Sequence, residues 1–171
     1  MRQETREKFD NVRRAVEDAP DSYMFAKLPP GGRQGSAERW SGLPADLRDL
    51  YELSNGLRVG QVGLFTDREL DRNQYYLDDP EAIEKLGGDR GDWLCFGVHV
   101  DFPLVIEQST AAVWWFPELD RETYLDSRFE RLTPDVDEFV TDYLLGGGYL
   151  RLSGAEDWWY EFLRDQGFLG D

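Results

Sequence analysis

His99 and Cys95 are the only histidine and cysteine in this chain, and their side chains are the ones best suited to nucleophilic chemistry. On an expected strand they lie four residues apart, with Gly97 between them on the same face. Strand alternation sets His99 opposite Val98 and Val100, so it is expected to face solvent or a partner. The separation is roughly 13 Å at 3.3 Å per residue, too far for a thiol–imidazole hydrogen bond. One cysteine and one histidine leave a thiol and imidazole metal site short of ligands. The acidic runs also lack the Asp-x-Asx-x-Asx-Gly spacing that wraps calcium. A pair of carboxylates about 5 to 9 Å apart could act as a hydrolase, and it would carry an acid with a raised pKa. Gly32-Arg33-Gln34-Gly35 has the G-x-x-G form of a KH loop, but its flanking prolines and lack of basic neighbours make it a linker. Gly146 to Gly148 follows a helix instead of opening one, so its N–H groups are not presented to phosphate. No catalytic residue, metal or cofactor is expected.

Aromatic residues give a different kind of lead. Trp114 and Trp115 are neighbours on an expected strand, point to opposite faces, and so cannot share one core. If one is exposed near Glu107, Glu118 and Asp120, it forms an anchor with an acidic rim, the usual division of labour at a protein interface. The plainer reading covers one with helices and the other with the chain's own loops. The candidate partner-binding residues are Asp101, Glu107, Trp114, Trp115, Glu118 and Asp120. Trp158 and Trp159 are expected to pack with Phe162 and Leu163 against the sheet.

Charge narrows the partners. The 171 residues carry a formal net charge of −16. Residues 1–58 hold ten acids and ten bases, residues 59–116 eleven and four, and residues 117–171 fourteen and five. Such a field repels nucleic acid and anionic membrane, which need Lys and Arg to displace counterions. It complements a basic protein, although acidic excess also serves simply to keep a surface soluble. An aromatic fraction of 14 % argues against disorder. The N-terminus lacks an apolar export segment and no stretch is long enough to span a membrane, so a cytoplasmic protein is expected.

The elements that must position these residues follow from periodicity and punctuation. Phe9, Val12 and Val16 predict a helix over Glu4–Glu17, ended by Pro20 and set at the periphery. Leu28 to Ser36 reads as a mobile loop. Leu43, Leu47, Leu50 and Tyr51 mark a one-faced helix between Pro44, in its first turn, and a left-handed stop at Gly56. Val59 to Phe65 suits a first strand, followed by a polar stretch and a short helix over Pro80–Leu86. Leu94, Phe96, Val98 and Val100 share one face of a strand, and Phe102, Leu104 and Ile106 share a face of the next. A turn at Gln108–Ala111 leads into a third strand, Ala112–Phe116. Thr133 and Pro134 open a helix over Val136–Leu145, and a Ser153/Glu156 capping box opens a last helix closed by Gly167.

The Leu-Pro helix ending in Asn-Gly, the aromatic strand Trp93–Phe96 followed by Gly97, a hairpin, and the helix Val136–Leu145 leading to Tyr149 and Trp158 together resemble the SUKH superfamily of Smi/Knr-like proteins. The resemblance runs from Trp40 to Phe168. It departs where His99, Val100 and Gln108–Ala111 stand in place of a second glycine and a Gly or Asp turn. What it implies is a single α+β domain over residues 1–171, with a mostly antiparallel, twisted sheet and helices packed on one side. Residues 1–36 then form a peripheral helix and flexible loop, and residues 40–168 the family-like core. It further implies a non-enzymatic immunity protein that neutralises a cognate, basic polymorphic toxin domain, a nuclease or deaminase. The alternative within the family is a regulatory or scaffolding interaction module. The elements themselves, helices before and after a cluster of strands, also point to α+β.

Overall fold

The computed structural model describes residues 1–19, 25–32 and 40–169. Its centre is a seven-stranded sheet in which every strand pairs antiparallel with the next in sequence: β1 (Ala26–Lys27), β2 (Leu57–Val59), β3 (Val62–Leu64), β4 (Trp93–His99), β5 (Phe102–Glu107), β6 (Val113–Trp115) and β7 (Glu130–Thr133). The helices are α1 (Gln3–Asp18), α2 (Ala45–Leu53), α3 (Asp67–Leu70, continued by 3-10 turns over Asp71–Leu77), α4 (Pro80–Leu86), α5 (Val136–Glu138, continued as a wide π-turn over Phe139–Leu144), α6 (Tyr149–Ser153) and α7 (Trp158–Asp165). The architecture is α+β with an antiparallel sheet, as expected.

Most helices cover one face. Phe9 and Val12 of α1, Leu47 and Leu50 of α2, Phe139 and Leu144 of α5, Tyr149 of α6 and Trp159 of α7 join Val62, Phe96, Leu104 and Ile106 in one core. α1 is thus central, not peripheral. Its Phe9–Val12–Val16 stripe is fully engaged, and Arg2 and Thr5 bind the buried Asp137 of α5, the Arg2 amide at 2.6 Å and the Thr5 hydroxyl at 2.9 Å. Burial works to raise the Asp137 pKa, but these donors and the Arg2 charge outweigh it and hold the carboxyl below its ordinary value.

The other face carries a second, smaller layer. Leu77 at the end of α3 and Leu86 of α4 pack with Trp93, Cys95, Phe102, Val105 and Phe116, with Tyr76, Trp114, Tyr124 and Phe129 at the margin. The sheet therefore has two covered faces, unequal in depth.

Several local expectations are corrected. Gly60 is the turn of a β2–β3 hairpin, not part of one strand, with φ of 52° and the Tyr149 hydroxyl where a Cβ would sit. β4 is not regularly alternating. Cys95 pairs with Val105 but Gly97 with Leu104, so two residues oppose one in a bulge. A Cβ on Gly97 would meet the Gly63 carbonyl at 2.6 Å, which keeps this crossing for glycine. Beyond the bulge the faces exchange: His99 is buried, while Val98 is half-buried and Val100 is exposed with φ of 56°. Phe102 also leaves the Leu104–Ile106 face for the second layer. α5 is capped by Asp135, whose side chain accepts from the Glu138 amide, not by Thr133. α7 is capped by Asp157, while Ser153 ends α6. Of the loop expected at Leu28–Ser36, residues 33–36 lie outside the described residues, as do Arg33, Gln34 and Gly35 of the G-x-x-G sequence. Its described part is tied down, with Leu28 buried and the Gly32 amide bonded to the Tyr51 carbonyl at 2.9 Å.

Candidate partner-binding surface

The six candidate residues do not form one site. Asp101 sits exposed at the β4–β5 turn, and Glu107 closes the far end of β5, roughly 20 Å away at 3.3 Å per residue. Glu107 accepts the Thr110 hydroxyl at 2.7 Å and so belongs to its own turn. Glu118 is spent in the loop after β6, accepting the Arg128 amide at 2.7 Å and lying 3.6 Å from both the Arg121 and Arg128 guanidinium groups. That amide, then the two arginine charges, holds its carboxyl below the ordinary value. Asp120 is exposed nearby. Trp114 and Trp115 do take opposite faces, and neither is an exposed anchor. Trp115 is 4 % exposed in the main core, and Trp114 is half-buried in the second layer, stacked on Phe129 at 5.0 Å. The indole N–H of each is buried without a hydrogen-bond partner among the described residues.

His99 is likewise not on a surface. It is 1 % exposed, lies 5.6 Å from Trp115, and neither ring nitrogen has a hydrogen-bond partner among the described residues. Burial lowers its pKa to about 4, only partly offset by the approach of the Leu152 carbonyl, so the ring is neutral at pH 7. Burial pushes the Cys95 thiol up to about 12, which keeps it protonated and unreactive. The three described carboxylates with a clear shift, Glu69, Glu118 and Asp137, all shift down, the reverse of what a general acid needs.

Exposed aromatic surface occurs elsewhere, in the polar stretch after β3. Thr66 and Glu69 form a capping box that starts α3. The start is locked further by Asn55, whose side-chain oxygen accepts the Asp67 amide at 2.8 Å and whose NH2 donates to the Asp67 carboxylate at 2.9 Å. Trp40 donates to the same carboxylate at 3.2 Å, so the Asn-Gly stop after α2 and the aromatic residue before it meet on one buried acid. The 3-10 turns that follow are sewn to β4 by Gln74. Its carboxamide donates to the Cys95 carbonyl at 2.7 Å and accepts the Cys95 amide at 3.1 Å, taking the place of a strand at the bulge.

That anchor fixes the next two residues. Tyr75 is 56 % exposed and stacks on Tyr76 with centroids 4.4 Å apart. Tyr76 meets Tyr124 edge-on at 6.0 Å, and the Tyr124 hydroxyl donates to the Tyr76 carbonyl at 2.6 Å. Asp78 and Asp79, both exposed, follow Tyr76 closely in the chain, and the exposed Asp101 adjoins Phe102, whose ring meets Tyr124 at 6.4 Å. Burial first, and then the charges of Asp79, Asp78 and others, push the Tyr124 hydroxyl up to about 12. Burial, the neighbouring Tyr75 and, more weakly, Asp101 raise that of Tyr76. Of these residues the sequence pointed only to Asp101.

No protein-family model matches the chain, and a search of curated proteins finds no significant match. A second exposed aromatic, Trp158, is 74 % exposed, contrary to its expected packing, and lies 6.3 Å from Phe25. Its neighbour Glu156 is paired with Arg164 at 2.7 Å, and Asp157 caps α7 and accepts the Tyr149 hydroxyl at 2.6 Å. Among the described residues no group of three metal-ligating side chains converges, and no helix is long and apolar enough to cross a membrane.

Proposed function

We propose that this chain is a non-enzymatic, SUKH-like immunity protein that acts in the cytoplasm by binding a cognate basic toxin domain, a nuclease or deaminase, and occluding its site. The observation that carries the reading is the joint presence of an exposed tyrosine, Tyr75, held on a half-buried second ring, and a strongly acidic field. An aromatic anchor holds a complex together, while acids accelerate capture and set its salt dependence. The resemblance of the Leu-Pro helix, the Asn-Gly stop and the later aromatic strand supplies the functional class. The same field disfavours nucleic acid and anionic membrane as partners.

The reading expects the neighbouring gene to encode a large secreted protein with a C-terminal toxin domain, and the test pairs that domain with the purified protein. Inhibition of the toxin's activity at equimolar protein is expected, with an association rate falling on the order of tenfold or more between low and high ionic strength. A toxin domain that stays fully active with an excess of this protein would remove the proposal. An association rate indifferent to salt would remove its electrostatic part.

A further inference from the structure

We infer that the Tyr75–Tyr76–Tyr124 surface of the second layer, with Asp78, Asp79 and Asp101 around it, is the docking surface, and that it takes arginine side chains projecting from a basic protein face. This rests on the immunity reading and locates its contact. An arginine guanidinium is planar, lies flat on aromatic rings, and at the same time offers N–H groups in its plane to carboxylates. The surface provides both halves: an outward tyrosine face stacked on a second ring, and exposed acids on the adjoining segments, Asp78 and Asp79 just after Tyr76 and Asp101 beside the Phe102 that meets Tyr124. It is also pre-organised. Gln74 fixes the backbone just before Tyr75, and Tyr124 holds the Tyr76 carbonyl, so little freedom is lost when a partner arrives.

The acids around it are available to a partner. Asp101 and Asp79 have no ion pair among those found in the described residues, although Asp79 caps α4 through the Glu81 amide, and Asp78 reaches Arg90 only at 3.9 Å. At the other exposed aromatic, Trp158, Glu156 and Asp157 are already engaged, which sets the two surfaces apart.

The experiment uses two capped peptides of equal length and charge, one of alternating arginine and glycine, the other of lysine and glycine, titrated into the full chain and followed by the ring resonances of its aromatic residues. The arginine peptide is expected to shift Tyr75, Tyr76 and Tyr124 and to bind about threefold more tightly than the lysine peptide. Tyr75→Ala should weaken it about fivefold, and Asp78→Asn with Asp101→Asn should weaken both peptides, while Trp158→Ala changes nothing. Equal binding of the two peptides, with shifts spread over the whole acidic surface or centred on Trp158, would overturn the assignment. The toxin assay separates the two proposals. A toxin inhibited equally by wild type and by Tyr75→Ala sinks this docking surface and leaves immunity standing, whereas arginine-selective binding beside an unaffected toxin sinks immunity alone.

Discussion

On one face of the sheet, helices from both ends of the chain bury Phe9, Phe139, Tyr149 and Trp159 to less than 2 % exposure; on the other, a 3-10 turn, one short helix and a loop cover a smaller aromatic cluster and leave Tyr75 at 56 %. Both faces are rich in rings, yet they use them differently. In the deep layer, rings interdigitate with aliphatic side chains and contribute through burial, so each is worth several kcal/mol. In the thin layer, rings stack on rings at a margin that water reaches, Trp114 on Phe129 and Tyr75 on Tyr76. Stability concentrates on the first face, which leaves the second free to expose an aromatic ring.

The largest effect is expected from truncating a ring on the deep face. Phe139→Ala, at a site with no exposure and an edge-on contact to Phe96 at 5.8 Å, should cost about 3–5 kcal/mol in urea unfolding. A cost below about 1 kcal/mol would show that the deep layer is not the seat of stability.

The next effect is acid sensitivity, and it also belongs to the deep face. His99 titrates near 4 when folded against an ordinary value of 6.5, so between these values the unfolded chain holds the extra proton. Stability therefore falls as pH drops from about 6.5 to about 4, and the penalty is absent above that window and complete below it. His99→Leu should remove up to about 3 kcal/mol of that acid-dependent loss, read as the difference between the two pH–stability profiles. Parallel profiles would mean that His99 finds a partner for its proton.

At the seam between the faces, Gln74→Met keeps the side chain's bulk but strips the Cys95 amide and carbonyl of their partner. A loss of about 1–3 kcal/mol is expected, with broadened Tyr75 and Tyr76 resonances. Unchanged tyrosine lines would show that the thin layer holds its shape without the carboxamide. The smallest effect is the most telling. Tyr75→Ala should alter unfolding by less than about 0.5 kcal/mol, since an exposed ring away from caps and cores contributes little. A large loss there would make Tyr75 a structural residue.

Periodicity made α1, α2 and α5 legible, because each buries a one-sided stripe such as Leu47–Leu50–Tyr51, while end signals, the glycines after Leu86 and Gly167, marked α4 and α7. What it missed has physical reasons. β1 is two residues long, too short for any alternation. α3 buries only Asp67 and Leu70 and carries no stripe, although Thr66 and Glu69 spelled its capping box in the sequence. The bulge in β4 reversed the inferences drawn for Val98, His99 and Val100, the exposure of His99 among them. Gly97 was the available cue, since a glycine inside a strand often marks a bulge or a close backbone approach. For the candidate surface, the acidic character and Asp101 were legible. Tyr75 and Tyr76 were not, because their placement depends on Gln74 reaching a strand 21 residues away.

The succession of neighbouring strands has a kinetic consequence. β2–β3, β4–β5 and β5–β6 close over short turns, the longer connections fall between β3 and β4 and between β6 and β7, and every strand pairs with its neighbour in sequence, so the sheet can be laid down in the order of synthesis. α1 is different: its Thr5 reaches Asp137 across 132 residues. α1, made before the sheet, must therefore hold Phe9, Val12 and Val16 in reserve until α5 has been made, and the main core closes only when the two meet.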